Sequence, residues 1–157
     1  MWIDPETFFA IVAAAHVVAL AAVAIRRSRL HRSLDKWAAR NGWQYVPEDK
    51  FDLAARSARS LEVAAAADVA VSDVLYRSEP EGRRYVYRVH YTVGAMQVRR
   101  REHRFMVAVE PRHTDVGGPL RVTRVEAAPL STSSYERLAV GAEALDATTS
   151  PTPARDP

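Results

Sequence analysis

From Thr7 to Ile25 the chain reads TFFAIVAAAHVVALAAVAI, 19 residues without Asp, Glu, Lys or Arg. As a helix this run rises roughly 28 Å, close to the ~30 Å hydrocarbon core of a bilayer. Its nine strong apolar residues favour insertion by roughly 3–5 kcal/mol before His16 is set against them. The run therefore predicts a transmembrane helix over 7–25. Leu30, Leu34, Trp37 and Ala38 then recur at helical spacing among charges, predicting a basic helix over 26–41 that either continues the span or restarts near Ser33. Asn41-Gly42 supplies a residue able to take the left-handed conformation that ends a helix.

Beyond Gly42 the texture changes. Trp43 to Val46 predicts a short strand stopped by Pro47, and residues 48–59 a short helix with Phe51, Ala54, Ala55 and Ala58 on one face. Residues 61–77 carry two signals, an Ala64–Ala67 run suited to a helix and Val69, Val71, Val74, Leu75 and Tyr76 suited to a strand. Ser78-Glu79-Pro80-Glu81-Gly82 is a turn. Tyr85, Tyr87, Val89, Tyr91 and Val93 then alternate with Val86, Arg88, His90 and Thr92, the period of a half-buried antiparallel strand. Gly94 opens a return, and Phe105, Val107 and Val109 mark a partner strand up to Pro111.

A loop over 112–119 leads to a strand carrying Leu120, Val122 and Val125. Ser133 and Glu136 have capping-box spacing, ahead of a helix whose apolar face is Tyr135, Leu138, Ala139, Ala142 and Leu145. Residues 147–157, with three prolines and no bulky apolar side chain, read as a disordered tail. The expected fold is α+β: a transmembrane helix, then a small antiparallel sheet with one or two covering helices in a domain over 42–146.

Charge distribution sets the expected topology. Residues 1–25 hold Asp4 and Glu6 and no basic side chain, whereas residues 26–40 hold six basic residues against Asp35. The remaining 117 residues carry 16 basic and 16 acidic side chains, so the whole excess of +3 sits beside the apolar run. A nucleic-acid binder ordinarily spreads its excess over the folded domain, which disfavours nucleic acid as a partner. A cleaved signal peptide is the rival reading, but it places its positive charge before the apolar region. The positive-inside rule puts residues 1–6 outside and Arg26 onward in the cytoplasm of a bacterial cell. A bacterial source is itself inferred from abundant alanine and from lysine at positions 36 and 50 alone. Arg26, Arg27, Arg29 and Arg32 are then placed to meet anionic headgroups, with Trp2 as an interfacial anchor.

The chain has no cysteine, and it carries no nucleophile elbow, phosphate-cradling loop or zinc-helix motif. No catalytic, cofactor-binding or metal-binding residue is assigned, and no cofactor is expected. His16 reads as an imidazole bonded to a backbone carbonyl or a neighbouring helix. His16, His31, His90, His103 and His113 lack metal-ligand spacing, though His90 and His103 across a hairpin, with Glu102 or Glu110, are one arrangement to test. Arg99-Arg100-Arg101-Glu102-His103-Arg104 is the sharpest feature of the domain. With Arg83, Arg84 and Arg88 it is expected either to form a basic patch among Tyr85, Tyr87 and Tyr91, or to be a solvated hairpin end. The tyrosines themselves read as a core face. The hydroxyl runs Ser131–Ser134 and Thr148–Ser150 suit caps and tails as well as phosphorylation.

WAARNGWQYVPED, Trp37 to Asp49, following an apolar segment and a basic helix, resembles uncharacterised single-pass membrane proteins of actinobacteria. Gly42, Trp43, Tyr45, Pro47 and Asp49 carry the resemblance, with Tyr85 to Tyr91 and His103-Arg104-Phe105. Residues 58–76 depart from it, where that family has more glycine and aromatic residues. The resemblance implies architecture and no activity. Together these readings point to a membrane-tethered, non-enzymatic cytoplasmic interaction domain. Its partners would be the bilayer with its anionic headgroups and an unidentified protein. The alternative is an anionic-lipid- or nucleic-acid-binding module using Arg99, Arg100, Arg101 and Arg104 of the Arg83–Arg104 hairpin.

Overall fold

A computed structural model describes residues 4–61, 63, 66–80, 82–94, 99–112 and 120–149, with Arg59 and residues 142–149 described by backbone alone. Trp2, His113 and the 113–119 part of the expected loop fall outside these residues. The elements are α1 (Pro5–Arg40), β1 (Gln44–Glu48), α2 (Leu53–Ser57) with a 3-10 turn (Ala58–Ser60), β2 (Ala67–Glu79), β3 (Gly82–Val93), β4 (Arg100–Pro111), β5 (Arg121–Glu126) and α3 (Thr132–Thr149). The five strands form one antiparallel meander in chain order.

The apolar run and the basic helix are one uninterrupted helix of 36 residues, roughly 54 Å long. The two halves of α1 have different surroundings. Phe8, Phe9, Ile11, Val17, Val18, Leu20, Val23 and Ile25 are all more than half exposed, and none of the apolar window is packed inside the protein. This arm is long and apolar enough to cross a membrane. Leu34 and Ala38, by contrast, are buried against the sheet. His16 donates from Nδ1 to the carbonyl of Val12 at 2.7 Å, the backbone bond expected of it.

The helix stops where the sequence places the stop. Gly42 takes φ +71°, which turns the Trp43 N–H back onto Ala38 O at 2.9 Å. This six-residue closure brings Trp43 into the same buried cluster as Ala38. Trp43 therefore belongs to the helix end, and β1 starts one residue later and passes through Pro47 to Glu48. Proline is tolerated there because β1 is an edge strand.

The sheet is covered on both sides, so the expectation of a half-buried β3 needs correction. Tyr85, Tyr87, Val89 and Tyr91 form one core with Val74, Met106 and Ala108 beneath Leu53, Leu61 and Leu120. On the opposite face Val86, Phe105, Val107 and Leu75 are buried beneath Leu34 and Ala38 of α1 and Tyr135, Leu138 and Ala139 of α3. The ambiguity over 61–77 resolves as a 13-residue strand. Its alternation is broken twice, once between Ala67 and Ala70 and once between Ser72 and Leu75, and at each break two residues oppose one on β3. Each break contains an aspartate with positive φ, Asp68 at +52° and Asp73 at +55°. Aspartate is among the few L-residues that accept the left-handed region without large cost, so both positions suit a β-bulge.

Three helical expectations are also revised. The helix over 48–59 shrinks to α2, which starts after Asp49 has used both carboxylate oxygens to accept the N–H groups of Phe51, Leu53 and Ala54. Its buried residues are Leu53 and Ser57, while Ala55 and Ala58 face solvent. The cap of α3 is Ser131 and not Ser133: Ser131 Oγ accepts the Ser134 N–H at 3.2 Å. Finally, α3 runs on through Thr149, so the first three residues of the expected tail are helical, and residues 150–157 lie outside the described residues. Ala142 and Leu145 of its expected face have undescribed side chains.

Candidate functional site

At the second bulge of β2 one carboxylate ties four elements together. Asp73 has a side chain only 2% exposed. Its Oδ1 accepts the Tyr45 hydroxyl of β1 at 2.9 Å and lies 3.3 Å from His31 Nε2 of α1. Its Oδ2 accepts Arg88 of β3 at 2.8 Å and Ser72 Oγ at 3.1 Å. Three donors, Tyr45, Arg88 and Ser72, thus converge on the carboxylate, with the His31 ring beside them. Burial and the facing Asp73 carboxylate push the Tyr45 phenol far above its ordinary range, so it remains a donor. The result is a clamp that locks the end of the exposed arm to the middle of the sheet.

The clamp continues through Ser72 Oγ to His90 Nε2 at 3.0 Å. Burial, then the nearby charges of Arg88, His103 and Arg101, push the His90 imidazole down to about 4, with Asp73 opposing. Its ordinary value is 6.5, so between these values the unfolded chain binds a proton that the folded chain refuses. The contribution is complete above pH 6.5 and is lost as pH falls towards 4. Thermal unfolding should accordingly show a falling midpoint from pH 6.5 to 4.5, and His90→Gln should flatten the profile in that window. Glu79 and Glu110 add their own loss only below 4.5: burial raises both carboxyls, but hydrogen bonds from their partners outweigh it. Parallel profiles for wild type and variant would refute the assignment to His90.

The register of β3 and β4 divides the expected basic patch in two. Arg83 pairs with Glu110 and Arg84 with Val109 at one end, whereas Thr92 pairs with Arg101 and Val93 with Arg100 at the other. Ten residues of strand, about 33 Å, separate Arg83 from Val93. Arg83, Arg84 and Arg88 are also engaged: Arg84 with Glu79 at 3.0 Å, Arg88 with Asp73, and Arg83 with the Tyr85 hydroxyl at 3.4 Å. Tyr85, Tyr87 and Tyr91 are core side chains and offer no stacking platform. Burial pushes the Tyr87 phenol up to about 12, and it bonds Ser57 at 2.5 Å. His90 and His103 do face each other, with ring centroids 6.4 Å apart. Glu102, however, pairs with Tyr91 on the other face of the sheet and Glu110 lies at the far end. Among the described residues, no group of three or more His, Cys, Asp or Glu side chains is placed to hold a metal ion.

The contacts of α1 orient these two ends. His31 meets Asp73, while Trp43, past the helix end, lies under the Arg77 guanidinium at 5.2 Å. Thus α1 and β2 run in the same direction, β3 returns, and the Val93–Arg100 end points back along α1 towards its apolar arm. Arg99, Arg100 and Arg101 are exposed there and Arg104 is half-buried. Arg26, Arg27 and Arg29 are exposed on the stretch of α1 between the apolar arm and the clamp, and Arg32 is exposed beside it. The opposite end carries a cleft of about 720 Å³ lined by Lys50, Phe51, Arg83, Tyr85, Glu110 and Arg112 among others. In it Glu110 accepts Arg56 at 2.6 Å and Tyr85 at 2.5 Å, and Arg83 lies over the Phe51 ring at 5.2 Å. Nothing in the sequence signals this cluster, because Arg56 and Glu110 are 54 residues apart.

Fold and site together define an α+β domain, a five-stranded antiparallel meander covered on both faces, clamped to a long helix with an exposed apolar arm. No protein-family model matches the chain, and no curated protein or solved structure matches it either.

Proposed function

We propose that the chain is a membrane-tethered, non-enzymatic interaction domain, anchored by residues 7–25 in the bacterial cytoplasmic membrane with residues 1–6 outside and the domain in the cytoplasm. The observation that carries this reading is the continuity of α1. One helix bears an exposed apolar arm and, about three turns later, side chains buried in the domain core. A domain joined this way stands at a set height and orientation over the bilayer. Tethering then raises its local concentration at the membrane without requiring any new contact. The end of the sheet pointing away from the arm, with its cleft of mixed charge and aromatic rings, is the face offered to a protein partner.

Reporter fusions after Pro157 test the reading. A cytoplasm-active reporter should work and an export-active one should fail, with the intact chain in the membrane fraction. An active exported reporter, or a chain cleaved near Ile25, would overturn the orientation and the anchor.

A further inference from the structure

We propose that the Arg99–Arg104 end of the β3–β4 hairpin is a second membrane contact, docking on anionic phospholipid headgroups beside Arg26, Arg27 and Arg29 of α1. The inference rests on reading residues 7–25 as a span, and it adds a partner surface that the span alone does not require. Asp73 links His31 of α1 to Arg88, and Arg88 pairs with Phe105, so these residues share one level of the fold. From Phe105 to Arg100 the strand reaches about 17 Å back towards the arm, whereas Ile25 lies only about 9 Å back along α1 from His31. Even with helix and strand inclined to each other, the hairpin end returns to the height at which α1 enters its apolar arm.

The charge at this end fits an anionic surface. Arg99, Arg100, Arg101 and Arg104 stand there against Glu102 and the exposed Asp68, and of the four only Arg100 forms an ion pair among the described residues, with Glu102. The Asp73 clamp and the burial of Leu34 and Ala38 keep the hairpin from swinging away from the helix axis. Arginine near an anionic headgroup layer is attracted within a Debye length, and two basic groups on one rigid body add their attractions.

The chain has no cysteine, so single cysteines can carry a fluorophore at Thr92→Cys beside Arg101, at Lys50→Cys at the far end, and at Val17→Cys in the arm. Each full-length protein is placed in nanodiscs of phosphatidylcholine, with or without phosphatidylglycerol, and quenched by headgroup or acyl-chain spin labels. The expected result is headgroup quenching at residue 92 but not 50, present with phosphatidylglycerol and lost without it. The triple variant Arg99→Ser, Arg100→Ser, Arg101→Ser should lose that quenching, and the triple lysine variant should keep it. Quenching at 17 by acyl-chain labels with none at 92 would overturn the docking while leaving the span intact; no quenching at 17 would overturn both. Salt-sensitive binding of a single-stranded oligonucleotide, lost in the serine variant while quenching at 92 stays absent, would reassign the arginines to nucleic acid.

Discussion

Exchanging Asp73 for asparagine is expected to destabilise the domain by about 3–5 kcal/mol, the cost of removing one partner from a buried ion pair. Asparagine retains the shape and tolerates the backbone at φ +55°, so the substitution removes charge without adding backbone strain. What it strands is Arg88, whose side chain is 13% exposed and whose carboxylate partner would become a neutral amide. Asparagine keeps one amide oxygen, so whichever of the Tyr45 hydroxyl and Arg88 faces the amide nitrogen loses its acceptor outright. Denaturant unfolding in mild detergent measures the loss. The double variant Asp73→Asn, Arg88→Met should recover part of it, because no buried cation is then left unpaired. A cost below about 1 kcal/mol for the single change would place Asp73 among ordinary surface-like ion pairs and remove the clamp from the account.

Gly82→Ala should be nearly as damaging, at about 2–3 kcal/mol, for a steric reason. Gly82 has φ +153°, and a Cβ there would stand 2.0 Å from Glu110 O and 3.1 Å from Arg112 N. Both obstacles are backbone, so β3 and β4 must part where Gly82 pairs with Pro111. Parting them also displaces Glu110, which holds Arg56 and Tyr85 at the far-end cleft. Gly42→Ala is the internal comparison. It too has positive φ, +71°, but a Cβ would meet nothing within 4 Å, so only the left-handed backbone cost of roughly 1–2 kcal/mol remains. Hydrogen exchange should speed up at the 79–84 and 108–111 end for the first variant and around 38–43 for the second. Equal stability losses would mean that the strands yield easily at Gly82.

Several features were legible because they depend on residues close together in the chain. The uncharged run 7–25 is an exposed apolar helix since all its side chains but Thr7 and His16 are apolar whatever lies around them. The stop at Asn41-Gly42, the chain reversal between Glu79 and Gly82 (tighter than the expected turn over 78–82) and the period-2 pattern of β3 are local in the same way. Local reading failed where a distant partner decided the outcome. Aspartates 68 and 73 interrupt the alternation of β2, and only pairing with β3 turns them into bulges. Pro47 ends a strand by local rules, yet the edge position of β1 lets the strand pass through it. Ser131 and Ser133 both offer a hydroxyl around the start of α3, and the packing of Ala128 and Tyr135 into one core accompanies the choice of Ser131.

The same division holds for the site. From sequence alone follow the apolar arm, the concentration of positive charge beside it, the α+β class, and the arginine-rich run at 99–104, because composition and short-range periodicity are properties of contiguous residues. The tertiary structure alone determined that Arg83 and Arg84 lie at the opposite end of the sheet from Arg99 to Arg101, that Asp73 gathers partners from α1, β1, β2 and β3, and that both faces of the sheet are covered. Those outcomes depend on strand register and helix docking, where a shift of one residue turns a side chain to the other face and where the deciding contacts join residues tens of positions apart.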